Sequence, residues 1–462
     1  MAAKAGELRE VPGPRAKKII ELDKNYGATS TQDYGFVPAG GRGVHLFDPD
    51  GNEYIDFTCG GGVTSLGHGN AAVARAARYQ RNTGLTQLDA NVWPNPPSVD
   101  LKKRLAKLAA ERFSGGYKVF LCSSGTEAVE AAVKLLLDNR PERTSFISFE
   151  MAFHGRTGYA IPLMGGKEVH HRGFPKAYNV HHFPYPYCWR CAYQKYQSTC
   201  DEFCINFIEE EFQTIISPKE INAFFIELVQ GEGGVNVPNP KAVQKLSELC
   251  KKHGILIVAD EVQTGMGRTG TMFACEQFDI CPDVLTLAKA LSNGEAPAGA
   301  AVFRAELDFK EKGRHSNTNG GNAVACAAAL AVINELQSGA IVNGRRSAGI
   351  IMGKLELIVN HFNNKQKEER RFVGFLGCPR GLGLMIGIEV VKNLFFKEPF
   401  PEFRDKIKEE CLKRGLLLMD AGNPKKNPVL RFLPPLTITE DEVNKAMEIF
   451  EEGLKAAFGF IQ

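Results

Sequence analysis

The sequence predicts an α/β protein with a mostly parallel central sheet and a smaller α+β domain built from both chain ends. Two observations predict it. Through the middle of the chain, short continuous apolar runs alternate with segments of helical periodicity, as when crossover helices bury a sheet on both faces. The two ends lack that alternation and mix strand-like and helix-like stretches instead.

The elements follow in order. "KVFLCSS" (118–124) reads as a strand, and "TEAVEAAVKLLLD" (126–138) as a helix with Ala128, Val129, Ala132, Val133 and Leu136 on one face. Strand-like runs recur at "SFISF" (145–149), "AFFIELV" (223–229), "ILIVADEV" (255–262), "VLTLAK" (284–289) and "GAAVFR" (299–304). Between two of them, "KAVQKLSELCKKHG" reads as a helix closed by Gly254. These elements set a large domain at residues 75–330. Residues 1–74 carry "GRGVHLFDPDGNEYIDFT", two strands across a "DPDGN" turn. Residues 331–462 supply "GLGLMIGIEV", "GLLLMDA" and "VLRFLPP" among helices, and the two ends are expected to pack as one smaller domain. "GLGLMIG" imitates a dinucleotide fingerprint but lacks the helix after its glycines, so it reads as a strand. Residues 165–205, rich in His, Pro, Tyr and Cys, read as a surface insertion or lid, with the pairs His170, His171 and His181, His182 as loop residues.

Composition narrows the function classes. The 462 residues are 44% hydrophobic and 24% charged, as in an ordinary globular enzyme. With 56 basic and 53 acidic residues the net charge is only +3, which gives no reason to expect nucleic acid or a membrane surface as partner. No apolar run reaches the roughly 18 residues of a membrane span, and the polar N-terminus lacks a signal-peptide core. The expectation is a cytoplasmic protein acting on small molecules.

Three features converge on one chemistry. "CSSGTEAVEAA" joins a strand end to a helix start, with Ser124 and Glu127 at capping-box spacing; such a turn offers backbone N–H groups and a helix dipole to an anion. Lys289 follows an apolar run, at the strand end where open α/β sheets bind ligands, and a partly desolvated lysine can form a Schiff base with a carbonyl. Asp260 ends the preceding strand, beside Glu261. A phosphate cradle, an imine-forming lysine and an aspartate that keeps a pyridine nitrogen protonated are what pyridoxal 5′-phosphate requires.

At these residues the chain resembles the class III, or ω-amino-acid, aminotransferases, homodimeric pyridoxal-phosphate enzymes of fold type I. "DPDGNEYIDF", "LGH", "SSGTEAVEAAVKL", "FHGRT", "ELVQGEGGV", "ADEVQTGMGRTG", "TLAKALSNG", "NTNGGNAVACAAALAV" and "RFLPPLTIT" stand in the family's order over nearly the whole chain. The resemblance implies that Lys289 forms the imine with the cofactor and shuttles the substrate proton, and that Asp260 pairs with the pyridinium nitrogen. It implies Val262 and Phe153 on the two ring faces, with His154 and Gln263 also at the cofactor. Ser124, Gly125 and Thr126 hold the phosphate, joined by Thr318 from the other subunit, so the active site lies at a dimer interface. Asn319 stands where the family usually has an aromatic residue. Arg156 and Arg431 match positions that bind substrate carboxylates, and Glu232 can pair with the second arginine. At Cys59, Gly60, Gly61 and Gly62 a tyrosine of the ornithine-processing relatives is missing; Gly61 opens space there that Trp93 could fill. The implied reaction is ping-pong transfer from an amino acid or ω-amine to a 2-oxo acid such as 2-oxoglutarate or pyruvate. The alternatives are an amino-acid racemase or epimerase on the same fold and a silent scaffold.

The family chemistry requires no metal. Cys188, Cys191, Cys200 and Cys204 nevertheless have a spacing compatible with a four-thiolate zinc or iron–sulfur site, with disulfides, or with four free thiols.

Overall fold

The computed structural model describes residues 3–30, 34–368 and 374–461. It divides into two compact units, Ala71–Ile341 and the combination of Met1–Asn70 with Val342–Gln462. These divisions differ from residues 74 and 330 because helix Ala71–Asn82 and helix Pro96–Phe113 both pack on helix Ala323–Glu335 within the first of these units. Helix Ala323–Glu335 is apolar on nearly every side and mostly buried, as suits a core helix. The helical run Ala323–Gln366 contains a window long and apolar enough to cross a membrane by composition alone. The apolar run itself ends at Asn334 and Glu335, short of a span.

The larger unit is built on a seven-stranded sheet. Across it the strands run Tyr117–Cys122, Gly299–Arg304, Val284–Leu287, Leu256–Asp260, Ile221–Ile226, Ser145–Phe149 and Val180–Phe183. Gly299–Arg304 is antiparallel to both neighbours, and the remaining four pairings are all parallel. Six strands therefore point the same way and bring their C-terminal ends to one edge, where such sheets place ligands.

The helix Gly125–Asn139 buries the expected face and also Ala131 and Leu135, because Phe146, Phe225, Val258, Val284 and Ala301 of the sheet lie in the same core. Helix Pro240–His253 has the anatomy its sequence dictates: Asn239 accepts from the Lys241 N–H, Pro240 opens the first turn, and Lys251, Lys252 and His253 close the last. Gly254 then takes φ +61°, the left-handed cap that glycine adopts at least cost, and donates to the Cys250 and Lys251 carbonyls.

Val180–Phe183 corrects the reading of residues 165–205 as an insertion. His181 and His182 lie on the sheet's edge strand, parallel to Ser145–Phe149. The sequence concealed the strand because an edge position has one neighbour and accepts polar side chains.

The smaller unit holds two sheets. In one, His45–Phe47 and Glu53–Asp56 pair across the expected turn, Gly40–Arg42 adds antiparallel to the first, and Leu416–Leu417 adds parallel to the second. In the other, Met385–Val391 pairs with Val429–Phe432, which pairs in turn with Met419–Ala421. "GLGLMIG" spans two strands rather than one, Arg380–Leu382 turning back onto Met385–Val391.

Candidate active site

Asp260 is the last residue of its strand and 4% exposed. Its Oδ2 lies 2.7 Å from Nδ1 of His154, and its Oδ1 accepts from the Thr286 hydroxyl at 3.0 Å and the Val262 N–H at 3.1 Å. Thr286 is Asp260's register partner on the next strand, so the sheet itself delivers that hydroxyl. The His154 ring is buried, which works against its charged form. The hydrogen bond and charge of Asp260, with the charge of Glu227, still hold its pKa above the ordinary value. The carboxylate is thus fixed in place on three sides.

Two residues past the neighbouring strand, Lys289 opens a short 3₁₀ turn with φ +42°. A side chain in the left-handed region is strained, and such strain persists where surrounding structure imposes it. The strand ends at Leu287, slightly earlier than the run "VLTLAK" suggests. Asp260 and Lys289 therefore lie at the C-terminal ends of adjacent strands.

Ser124 caps helix Gly125–Asn139 and accepts from the Glu127 N–H at 3.2 Å. Glu127 reaches the Ser123 N–H at 2.8 Å rather than that of Ser124, so the box is shifted by one residue. Ala128 donates to the Ser124 carbonyl. Gly125 and Thr126 provide the first two N–H groups of the helix, at the positive end of its dipole. Gly125 must lack a side chain, since a Cβ there would stand 2.7 Å from Cγ1 of Val262. The phosphate turn and the residue expected on one ring face are therefore in contact. This donor turn, the anchored carboxylate and the strand-end lysine suit pyridoxal phosphate.

In the loop that carries His154, the Phe153 ring meets the His170 ring edge-on with centroids 5.8 Å apart, and the Arg156 guanidinium carbon lies 5.4 Å from the Phe153 centroid. Arg156 Nη2 lies 3.1 Å from Nε2 of His170. Gln263 is buried and Glu232 half-buried. Thr318 is exposed, its carbonyl accepting from Gln87 Nε2 at 2.5 Å. Asn319 lines a cavity of about 410 Å³ with Ser123, Arg81 and Gln87. Trp93 is 56% exposed. Arg431 and Gly61 belong to the smaller unit. Arg431 is buried on strand Val429–Phe432, and Gly61 has φ +79° and nothing within 4 Å of where a Cβ would stand.

Glu261 has a structural occupation. Its Oε2 accepts from the Thr264 hydroxyl and the Ala274 N–H, and its Oε1 from the Cys275 N–H, all at 2.9 Å. It therefore ties the strand end to the start of the 3₁₀ turn Ala274–Gln277. Burial pushes its carboxyl pKa up, against the pull of those donors. Glu261→Ala is expected to leave buried donors unmet and cost about 3 kcal/mol, read as a lower midpoint of thermal unfolding with bound cofactor retained.

Sequence reasoning missed Thr286, Glu227 and His170. The first two had a signal: each is a polar residue inside an apolar run, "VLTLAK" and "AFFIELV". His170 had none beyond its composition.

Cys188, Cys191, Cys200 and Cys204 are free thiols. All four line one cavity of about 30 Å³. Burial pushes the Cys204 thiol up to about 12, with the other three thiols adding to the shift. Among the described residues, no three His, Cys, Asp or Glu side chains are grouped to hold a metal ion.

Comparison with known proteins agrees with this geometry. Residues 26–454 match the family "Aminotransferase class-III". The chain is 34% identical to a probable 4-aminobutyrate aminotransferase of Bacillus subtilis, over 90% of this chain and 92% of that one. It is also 34% identical to an acetylornithine aminotransferase of Aquifex aeolicus, over 89% and 95% respectively. Among solved structures, a PLP-bound amine transaminase from an uncultivated Pseudomonas species superposes with a TM-score of 0.82 at 29% identity, covering 94% of this chain and 97% of that one. An (S)-enantioselective ω-transaminase from Thermomicrobium roseum does so with a TM-score of 0.83 at 29% identity, covering 96% and 99%. The fold is that of the type I pyridoxal-phosphate enzymes, the cofactor is pyridoxal 5′-phosphate, and the reaction is transfer of an amino group from a donor to a keto-acid acceptor. This chain belongs to the class III aminotransferases.

Proposed function

We propose that this aminotransferase takes its amino group from a donor that carries both a primary amine and a carboxylate, and passes it to a 2-oxo acid, with Lys289 as the catalytic base and acid. The observation that carries the reading is the anchored Asp260 beside Lys289 at adjacent strand ends. Pyridoxal phosphate, when bound, supplies an electron sink for the substrate Cα–H bond.

The chain's own residues do the rest. The N–H groups of Gly125 and Thr126, with Ser124, bind the phosphate. Asp260 provides a fixed negative charge for the pyridinium nitrogen, and His154 and Thr286 keep it from rotating away. Val262 and Phe153 would confine the ring, and Gln263 would also contact the cofactor. Lys289, on its short turn, takes the proton from the substrate carbon and returns it, a role that suits an amine in a desolvated site. Arg156 offers a planar guanidinium to a carboxylate, a geometry that matches two oxygens at once. Arg431 and Gly61 of the smaller unit, and Glu232 and Trp93 of the larger one, are each proposed as substrate-binding residues.

The reading includes a homodimer in which Thr318 of one subunit completes the phosphate site of the other. It also places the enzyme in the cytoplasm, in keeping with twelve cysteines and no disulfide among the described residues. The relatives' named substrates, 4-aminobutyrate and acetylornithine, both pair an amine with a carboxylate. Mixing the holoenzyme with a single donor and no acceptor is expected to convert the bound aldehyde cofactor to its amine form, visible by absorbance. A panel of carboxylated amines and amino acids that leaves the spectrum unchanged overturns the proposal.

A further inference from the structure

Glu227 lies just past strand Ile221–Ile226, in the apolar run "AFFIELV", and is 8% exposed. Each of its oxygens accepts a backbone N–H from a different loop. Oε1 accepts from Phe153 at 2.8 Å, and Oε2 from Gly231 at 3.0 Å. The first loop carries Phe153, His154 and Arg156; the second leads directly into Glu232. The same two loops are tied again at their base, where Gln230 Nε2 donates to the Glu150 carbonyl at 2.8 Å.

We infer that Glu227 is a positioning residue for the reaction: its carboxylate locks the loop of Phe153 and Arg156 to the loop of Glu232, so that the ring-facing and substrate-facing parts of the site are set together. The inference rests on the roles proposed above for those three residues. An ionised carboxylate holds both loops most strongly. It presents an acceptor at each oxygen, whereas an amide presents one acceptor and one donor, and a donor facing an N–H is repelled.

The charged surroundings make the lock sensitive to protons. His154 from the first loop and Asp260 from the Leu256–Asp260 strand face Glu227, and the Tyr185 hydroxyl donates to its carbonyl at 2.8 Å. Burial pushes the Glu227 carboxyl up to about 7; His154 and the two N–H donors pull it down, and the negative Asp260 pushes it further up. Below that pH one oxygen carries the proton and becomes a weaker acceptor, so the loop it holds is loosened. The acid side of the kcat/KM profile should therefore fall through a group titrating near 7.

The test compares wild type, Glu227→Gln and Glu227→Asp as holoenzymes. For Glu227→Gln the expected results are a KM for a carboxylated donor raised about tenfold, a much smaller change in kcat, and loss of the acid limb near 7. Amide exchange read by mass spectrometry should quicken in the peptides that contain Phe153 and Gly231. Glu227→Asp keeps two acceptors on a shorter stem and should recover part of the KM and the limb; it decides the matter if the glutamine variant does not fold. An unchanged KM, limb and exchange in a folded variant overturn the inference. Should wild type itself transfer no amino group, the proposed function fails instead, and the exchange arm still decides whether Glu227 joins the loops.

Discussion

Asp260→Asn is expected to lower kcat by about 10²- to 10³-fold, the usual loss when one pre-aimed electrostatic group is removed from a buried site. Asparagine has nearly the same shape and its oxygen can still accept from Thr286 or Val262, so the strand end should stay in place. What disappears is the charge. The pyridinium nitrogen loses its counter-ion, and His154 loses the partner that raises its pKa. Burial then acts against the imidazolium with only the Glu227 charge opposing it, so the ring's pKa should fall. The measurement is the rate of the donor-only half-reaction, with cofactor content as a control; a variant within a few-fold of wild type would remove Asp260 from the mechanism.

Lys289→Ala should lower turnover by about 10⁴-fold, the upper range for removal of a positioned acid–base group. The backbone at 289 has φ +42°, and alanine suffers there much as lysine does, so the fold should not bear the loss. Lys289→Arg should not rescue turnover, because a guanidinium stays protonated and cannot take the substrate proton. Added small primary amines should restore part of the rate by entering the space left by the side chain, which separates a missing amine from a collapsed site.

How much of this was legible in the sequence follows from where each interaction is local. The helix from Gly125, its Ser124 cap and the Gly254 stop are written in adjacent residues, and they are present in the structure. The alternation of apolar runs and helices likewise gave the mostly parallel sheet. The edge strand Val180–Phe183 was missed because its side chains follow its exposure and not its backbone pairing. The support around Asp260 could not be assembled from spacing at all. His154 is 106 residues away in sequence and Thr286 is 26, and only the parallel register of the sheet puts the threonine opposite the aspartate. Glu261 was legible as a carboxylate without a task; the loop that it ties down begins beyond the strand, at Ala274. Arg431, by contrast, was read from resemblance alone.

The central claim is that the amine of Lys289, at the strand end beside Asp260, is the group that holds the cofactor. It is tested most directly by reducing the purified holoenzyme with borohydride, digesting it and locating the modified residue by mass spectrometry. The account predicts a phosphopyridoxyl group on Lys289, and none in Lys289→Ala. The modification on another lysine, or its persistence in that variant, would contradict it.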